Sequence, residues 1–98
     1  MTESGGRSRA PPPASGRARV LLFSTARTAV GTGRLEWPVP VEGTLVRELV
    51  KELALAHPRL GPILAHSRLF HDGEPVHRPD ERVRDGEELA VHPPYGGG

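Results

Sequence analysis

The sequence predicts an α+β domain in which one main helix packs across a small mixed sheet. Three observations predict it. One stretch, "GTLVRELVKELALAHP" (Gly43–Pro58), repeats its apolar residues at helical spacing. The other apolar runs are short, β-branched or aromatic, and bounded by glycine and proline. The chain has 98 residues, enough for one domain with one modest core. A single amphipathic helix has to bury its stripe against a sheet, which gives two layers.

Residues 1–17, "MTESGGRSRAPPPASGR", hold no apolar side chain beyond Met1, Ala10 and Ala14. Such a segment cannot bury enough surface to order itself, so it reads as a disordered leader. The domain is expected over residues 18–92 and a flexible tail over 93–98. "RVLLFST" (Arg19–Thr25) reads as the first strand and "AVGTGR" as a turn. "RLEWPVPV" (Arg34–Val41) reads as a second strand, making a hairpin with the first. Pro38 and Pro40 lack N–H donors, which puts that strand at a sheet edge.

In the main helix Val46, Leu49, Val50 and Leu53 fall at i, i+3, i+4 and i+7, and Ala54 and Ala56 extend the stripe. Thr44 is the expected N-cap, and Pro58 ends the helix. Glu48 and Glu52 are expected to face solvent with Arg47 and Lys51. "GPILAHS" fits a short helical turn. "RLFHDGEPVHR" carries Asp72-Gly73 between two extended runs, a hairpin signal. "PDERVRDGEE" reads as a polar connector. "ELAVHPP" is the last strand, with Leu89 and Val91 on one face, and its apolar character suits a central place beside the first strand.

Charge and composition narrow the function. The leader carries a net +2 and residues 18–98 a net −1, so the domain lacks the basic footprint of a nucleic-acid binder. No apolar run reaches the roughly 18 residues that span a membrane. The N-terminus has no apolar signal core, so a cytoplasmic location is expected. There is no cysteine, hence no disulfide and no side-chain thiol. The five histidines, His57, His66, His71, His77 and His92, form no i, i+4 pair, and no metal is expected, although His71, His77 and His92 sit where strands could bring them close. Gly31-Thr32-Gly33 opens no helix, so it does not read as a dinucleotide loop, and Ser24 and Ser67 lack a partnered base.

The most informative stretch is the end, "HPPYGGG" (His92–Gly98). Pro93 and Pro94 cannot extend a ladder and favour extended backbone. Six residues reach about 20 Å at roughly 3.3 Å each. Gly96, Gly97 and Gly98 make the tip thin enough for a narrow channel, and its one reactive group is the terminal carboxylate. Strand alternation puts Val20 and Leu22 on one face and Leu21 and Phe23 on the other. Phe70 shares the outer face with Phe23 if Leu69 points inward, and an apolar outer patch beside the tail would be a protein interface. The competing reading makes Phe23 or Phe70 core.

These stretches together resemble the MoaD/ThiS group of ubiquitin-like sulfur carriers. "VLLFSTARTAVG" resembles its first strand and loop, and "EGTLVRELVKELALAHP" its helix. "LFHDGEPV" resembles its hairpin, with Asp72 where asparagine is frequent. "DGEELAVHPPYGGG" resembles its last strand and tail, in which Gly97 and Gly98 match the diglycine and Gly96 the preceding small residue. The resemblance implies the β-grasp fold. It implies that the chain binds no cofactor and is not itself an enzyme. A ubiquitin-activating-type adenylating partner, using ATP and magnesium, would activate Gly98. A sulfur donor protein would then leave a thiocarboxylate there. The acceptor implied is the molybdopterin synthase large subunit, in molybdenum cofactor synthesis, or another acceptor serving cysteine, thiamine or specialised metabolites. The resemblance also puts Phe23 and Arg27 at the family's docking positions, with Phe70, Pro93, Pro94 and Tyr95 around them. His92 stands where an apolar or aromatic residue is common. Two other classes stay open: a protein modifier, in which a lysine attacks the activated Gly98, and an interaction module that is never activated.

Overall fold

The computed structural model describes residues 16–94. The leader up to residue 15 and the tip from Tyr95 to Gly98 lie outside the described residues. Strand β1 (Gly16–Leu22) begins two residues before the expected domain start, because Gly16 and Arg17 already pair with Val39 and Pro38. The Arg17 amide also donates to Asp85 Oδ1 at 2.8 Å. Helix α1 (Ser24–Val30) follows, then β2 (Arg34–Val39), β3 (Thr44–Leu45) and the main helix α2 (Val46–Ala56). A 3-10 turn (Pro58–Leu60) and α3 (Gly61–Leu64) lead to β4 (Arg68–His71) and β5 (Glu74–Pro75). The chain ends through β6 (Arg82–Val83) and β7 (Glu88–His92).

Five strands form a mixed sheet in the order β2-β1-β7-β4-β5, and β3 pairs with β6 in a separate ribbon. β7 lies at the centre, parallel to β1 and antiparallel to β4. The edge position of β2 tolerates Pro38, which has no N–H to offer a further strand. β2 stops at Val39, so Val41 is outside it and highly exposed. Trp37 fastens this edge to the helix layer, its indole N–H donating to Glu52 Oε1 at 2.8 Å.

The core lies between the sheet and α2. Val20 and Leu22 from β1, Leu89 and Val91 from β7, and Val46, Leu49 and Leu53 from α2 are all buried, as the period-2 and period-3.6 patterns predict. Leu60 and Leu64 close one end of the core.

Four local readings are corrected. The first strand does not run to Thr25, and the "AVGTGR" turn is shorter than expected: Ser24–Val30 is helix, with Ala26 buried and Val30 against the core. Gly31 ends that helix at φ 95°, its amide donating to the Arg27 carbonyl at 2.8 Å. This is a C-terminal glycine stop. The first two strands are therefore antiparallel neighbours joined through a helix rather than by a tight hairpin. Thr44 is not the N-cap. It is buried in β3, and Leu45 precedes α2 with no side-chain cap bond. The polar connector contains β6, whose Val83 is fully buried opposite Thr44. The Asp72-Gly73 hairpin stands as expected, with φ 49° and 84° at its two turn residues.

Connector and sheet are held together at His71. Its Nδ1 lies 3.0 Å from Glu81 Oε2 and its Nε2 2.8 Å from Glu87 Oε1. Glu87 Oε1 also accepts the Arg84 amide at 2.8 Å. Burial alone lowers the His71 pKa. The hydrogen bonds to Glu87 and Glu81, with the charges of Glu87 and Asp72, outweigh it and raise the pKa above the ordinary 6.5. For Glu87, burial pushes upward, but the Arg84 amide and the His71 bond and charge hold it below the ordinary 4.5. A raised histidine pKa stabilises the fold fully below 6.5 and loses that contribution as pH rises through the folded value. The lowered Glu87 contributes above 4.5 and loses its share as pH falls through its folded value. The clamp is therefore strongest between about pH 5 and 6. Urea unfolding should show the protein losing more stability than His71→Gln between about pH 6 and 9. Parallel pH curves for the two proteins would show that the clamp contributes nothing.

Candidate functional site

The strand directions decide what surrounds the tail. β1 and β7 run parallel with Leu22 opposite Val91, so Phe23, just past β1, and His92, the last residue of β7, stand side by side. The Phe23 amide donates to the Val91 carbonyl at 3.3 Å. The rings stack with centroids 4.3 Å apart and planes 10° apart. Phe70, from β4, meets the His92 ring edge-on at 5.1 Å and 84°. Such pairs add about 0.5–1.5 kcal/mol beyond area burial. His92 is thus the wedge between two phenylalanines, and the Arg68 guanidinium lies 5.9 Å from the Phe70 ring centre.

This cluster is on the outer face of the sheet, opposite α2. Leu69 packs on the core, which turns Phe70 outward. Phe23 is 41% exposed, so it is not a core residue. Leu21 and Ala90 face each other on the same outer surface. Arg27 is an exposed residue of α1, one turn beyond Phe23, and its side chain leans over Gly33 rather than joining the ring cluster.

Pro93 and Pro94 follow β7 directly. Pro94 borders a shallow cleft of about 260 Å³ with Thr25, Pro62, Ile63 and His66. The base of the tail therefore has the ring cluster at the end of β7 and this cleft at Pro94. Tyr95, Gly96, Gly97 and Gly98 lie outside the described residues. The histidines expected to approach one another do not gather. His92 is in the outer ring cluster, while His71 is clamped by glutamates on the register position opposite buried Leu89. His71, Asp72 and Glu87 can each place one ligand atom within 4.8 Å of the others. Both His71 nitrogens already face carboxylates, and a ring that donates from both has no lone pair for a metal.

The stacking role of His92 was missed, because strand alternation gives a face but not a ring geometry. The parallel pairing of β1 and β7 was the signal that could have found it. Among the described residues no helix is long and apolar enough to cross a membrane.

A helix across a five-stranded mixed sheet, with parallel central strands and a tail leaving the last one, defines a ubiquitin-like β-grasp protein. The chain belongs to the ThiS family, whose model matches residues 20–98, and so to the MoaD/ThiS group of ubiquitin-like sulfur carriers. It is 28% identical over 81 residues to the molybdopterin synthase sulfur carrier subunit of Chlamydomonas reinhardtii, covering 82% of this chain and 96% of that one. Among solved structures it is similar to a putative molybdopterin converting factor subunit 1 from Pyrococcus furiosus, with TM-score 0.72 and 27% identity over 82% of this chain and 99% of that one. It is equally similar to SAMP1, a small archaeal modifier protein of Haloferax volcanii, with TM-score 0.72 and 25% identity over 85% of this chain and all of that one. A likeness in fold alone, at TM-score 0.59 and 15% identity over 84% of this chain and 99% of that one, extends to a complex of subunits 1 and 2 of the molybdopterin-converting factor from Helicobacter pylori.

The exposure of Phe23 yields a direct check. Phe23→Ala should lose about 1–2 kcal/mol of unfolding free energy by urea titration, from the lost ring stack and its partial burial. A loss of roughly 3–5 kcal/mol, the cost of truncating a core phenylalanine, would contradict its placement.

Proposed function

We propose that the chain carries sulfur on its C-terminus. It is a protein co-substrate, a non-catalytic small subunit rather than a catalyst. The observation that carries the reading is the Gly97-Gly98 end, set by Pro93 and Pro94 just beyond the central strand β7. In the first step the Gly98 carboxylate attacks the α-phosphate of ATP on an adenylating partner. Pyrophosphate leaves and an acyl-adenylate forms. A sulfur donor protein carrying a persulfide then displaces AMP at the acyl carbon, and a thiol cleaves the resulting acyl disulfide, leaving the thiocarboxylate on Gly98 and a disulfide on the donor. Glycine at the tip matters because a Cβ there would widen a chain that has to enter an enclosed site. The chain's lack of cysteine agrees with sulfur carried on the terminal carbonyl.

The acceptor proposed is a molybdopterin synthase large subunit. The likeness to carrier subunits of that enzyme supports it. The Phe23–His92–Phe70 cluster is where it would dock, with Arg27 at the margin and Pro93, Pro94 and Tyr95 leading the tip inward.

A second reading is supported by the likeness to an archaeal modifier protein. There a lysine amine, rather than sulfur, displaces AMP and leaves Gly98 in an isopeptide bond. Lys51, on the exposed side of α2, is this chain's one lysine.

Two variants test the proposal. Removing Gly98, or fusing a tag after it, should leave the unfolding curve unchanged and abolish adenylation by the host's activating enzyme. Adenylation at the normal rate would overturn the carrier reading. Phe23→Ala should weaken docking to the large subunit at least about 30-fold, since a buried aromatic anchor contributes about 2 kcal/mol or more. A folded variant with unchanged affinity would move the docking surface elsewhere.

A further inference from the structure

A second surface lies on the helix side of the molecule. An open trough of about 500 Å³ runs between α2 and the β4–β5 hairpin. Val46, Val50, Leu69 and Val76 give it an apolar floor. Arg47, Arg68 and His77 are the ionisable residues that line it, and no carboxylate does. Backbone bonds hold it open: the Arg47 amide donates to the Pro79 carbonyl at 3.0 Å, and the Val76 amide to the Leu69 carbonyl at 2.9 Å. These bonds fix both walls, so the trough is present without a ligand.

The lining is unusual for this chain. Residues 18–98 are slightly acidic overall, yet every full charge at the trough is positive. The nearest carboxylate to Arg47 is Glu48, at 4.0 Å, with both side chains about half exposed. Exposed pairs at that distance neutralise little. The trough is open along its length. Small molecules prefer sites that bury most of their surface, whereas an extended peptide needs only one covered side. The leader does not match it. Its charge is positive, and Met1 is its one side chain longer than alanine that is apolar throughout and not proline.

We propose that this trough docks an extended segment of a partner protein in which an aliphatic side chain is flanked by aspartate or glutamate. The aliphatic group fills the space between Val50 and Val76, and a flanking carboxylate meets Arg47. Apart from Arg68, whose guanidinium lies at the Phe70 ring, the surface shares no residue with the Phe23–His92 cluster on the other face of the sheet. One partner can therefore hold the helix side while another receives the tail.

The probe is a displayed library of random dodecapeptides selected on the full chain. Enriched peptides should place an aliphatic residue within two positions of an acidic one. A synthetic copy should shift the amide resonances of Val50, Leu69 and Val76. It should bind Arg47→Glu at least about 10-fold more weakly, because reversing an exposed rim charge sets like charges together. Arg47 is exposed, so the variant should keep the parent's amide spectrum elsewhere. Phe23→Ala should bind the peptide normally, which separates this surface from the docking cluster. Selected peptides without acidic enrichment, shifts centred on Phe23 and His92, equal binding to Arg47→Glu, or no enrichment would each overturn the proposal.

Discussion

The parallel pairing of β1 with β7 sets the rest of the molecule. It joins the two ends of the domain in sequence at the centre of the sheet, with Val20 opposite Leu89 and Leu22 opposite Val91. Those four side chains are at the centre of the sheet's contribution to the core under α2, with Ala18 and Val39 beside them. Because the strands run the same way, they also finish at the same end. Phe23 and His92 are then adjacent whatever the loops do, and their rings stack at 4.3 Å. An antiparallel pair would have left Phe23 at the opposite end from the tail. One register thus places both the core and the aromatic surface at the tail's base.

The parts of the fold that could be read from the sequence are those with enough residues to show a period. α2 has three core-facing positions at 3.6-residue spacing, and β7 has an alternating apolar pair between a charged start and two prolines. Pro38 marked an edge strand because its missing N–H is a chemical fact, independent of context. The elements that escaped are short. α1 has seven residues and buries chiefly Ala26, which any turn could carry. Its signal was Gly31, four residues beyond Arg27, at the position where helices often stop. β6 is two residues long, and Val83 looks incidental until Thr44 is placed opposite it. Thr44 looked like a cap because threonine often is one. Here the β3–β6 pairing claims it first.

The candidate site divides in the same way. Alternation put Phe23 and Phe70 outward, and both are there. The stacking of His92 between them depends on strand order and direction, which local spacing does not contain. The trough on the helix side was invisible for a related reason. Its walls come from residues 46–50 and 67–79, and neither stretch is exceptional alone. The sequence reading reaches furthest at the tail, where chemistry rather than packing carries the signal. A diglycine end offers a carboxylate, no side chains and nothing to bury.

In the proposed carrier role the domain is a holder, and the chemistry falls on one acyl carbon at Gly98. That division makes the intact mass of the protein from its native host the most direct measurement. The account predicts a population in which one C-terminal oxygen is replaced by sulfur, with the change localised to the terminal glycine by fragmentation. Protein isolated during active sulfur transfer that carries only an unmodified carboxylate, or Gly98 joined to a target lysine, would contradict it.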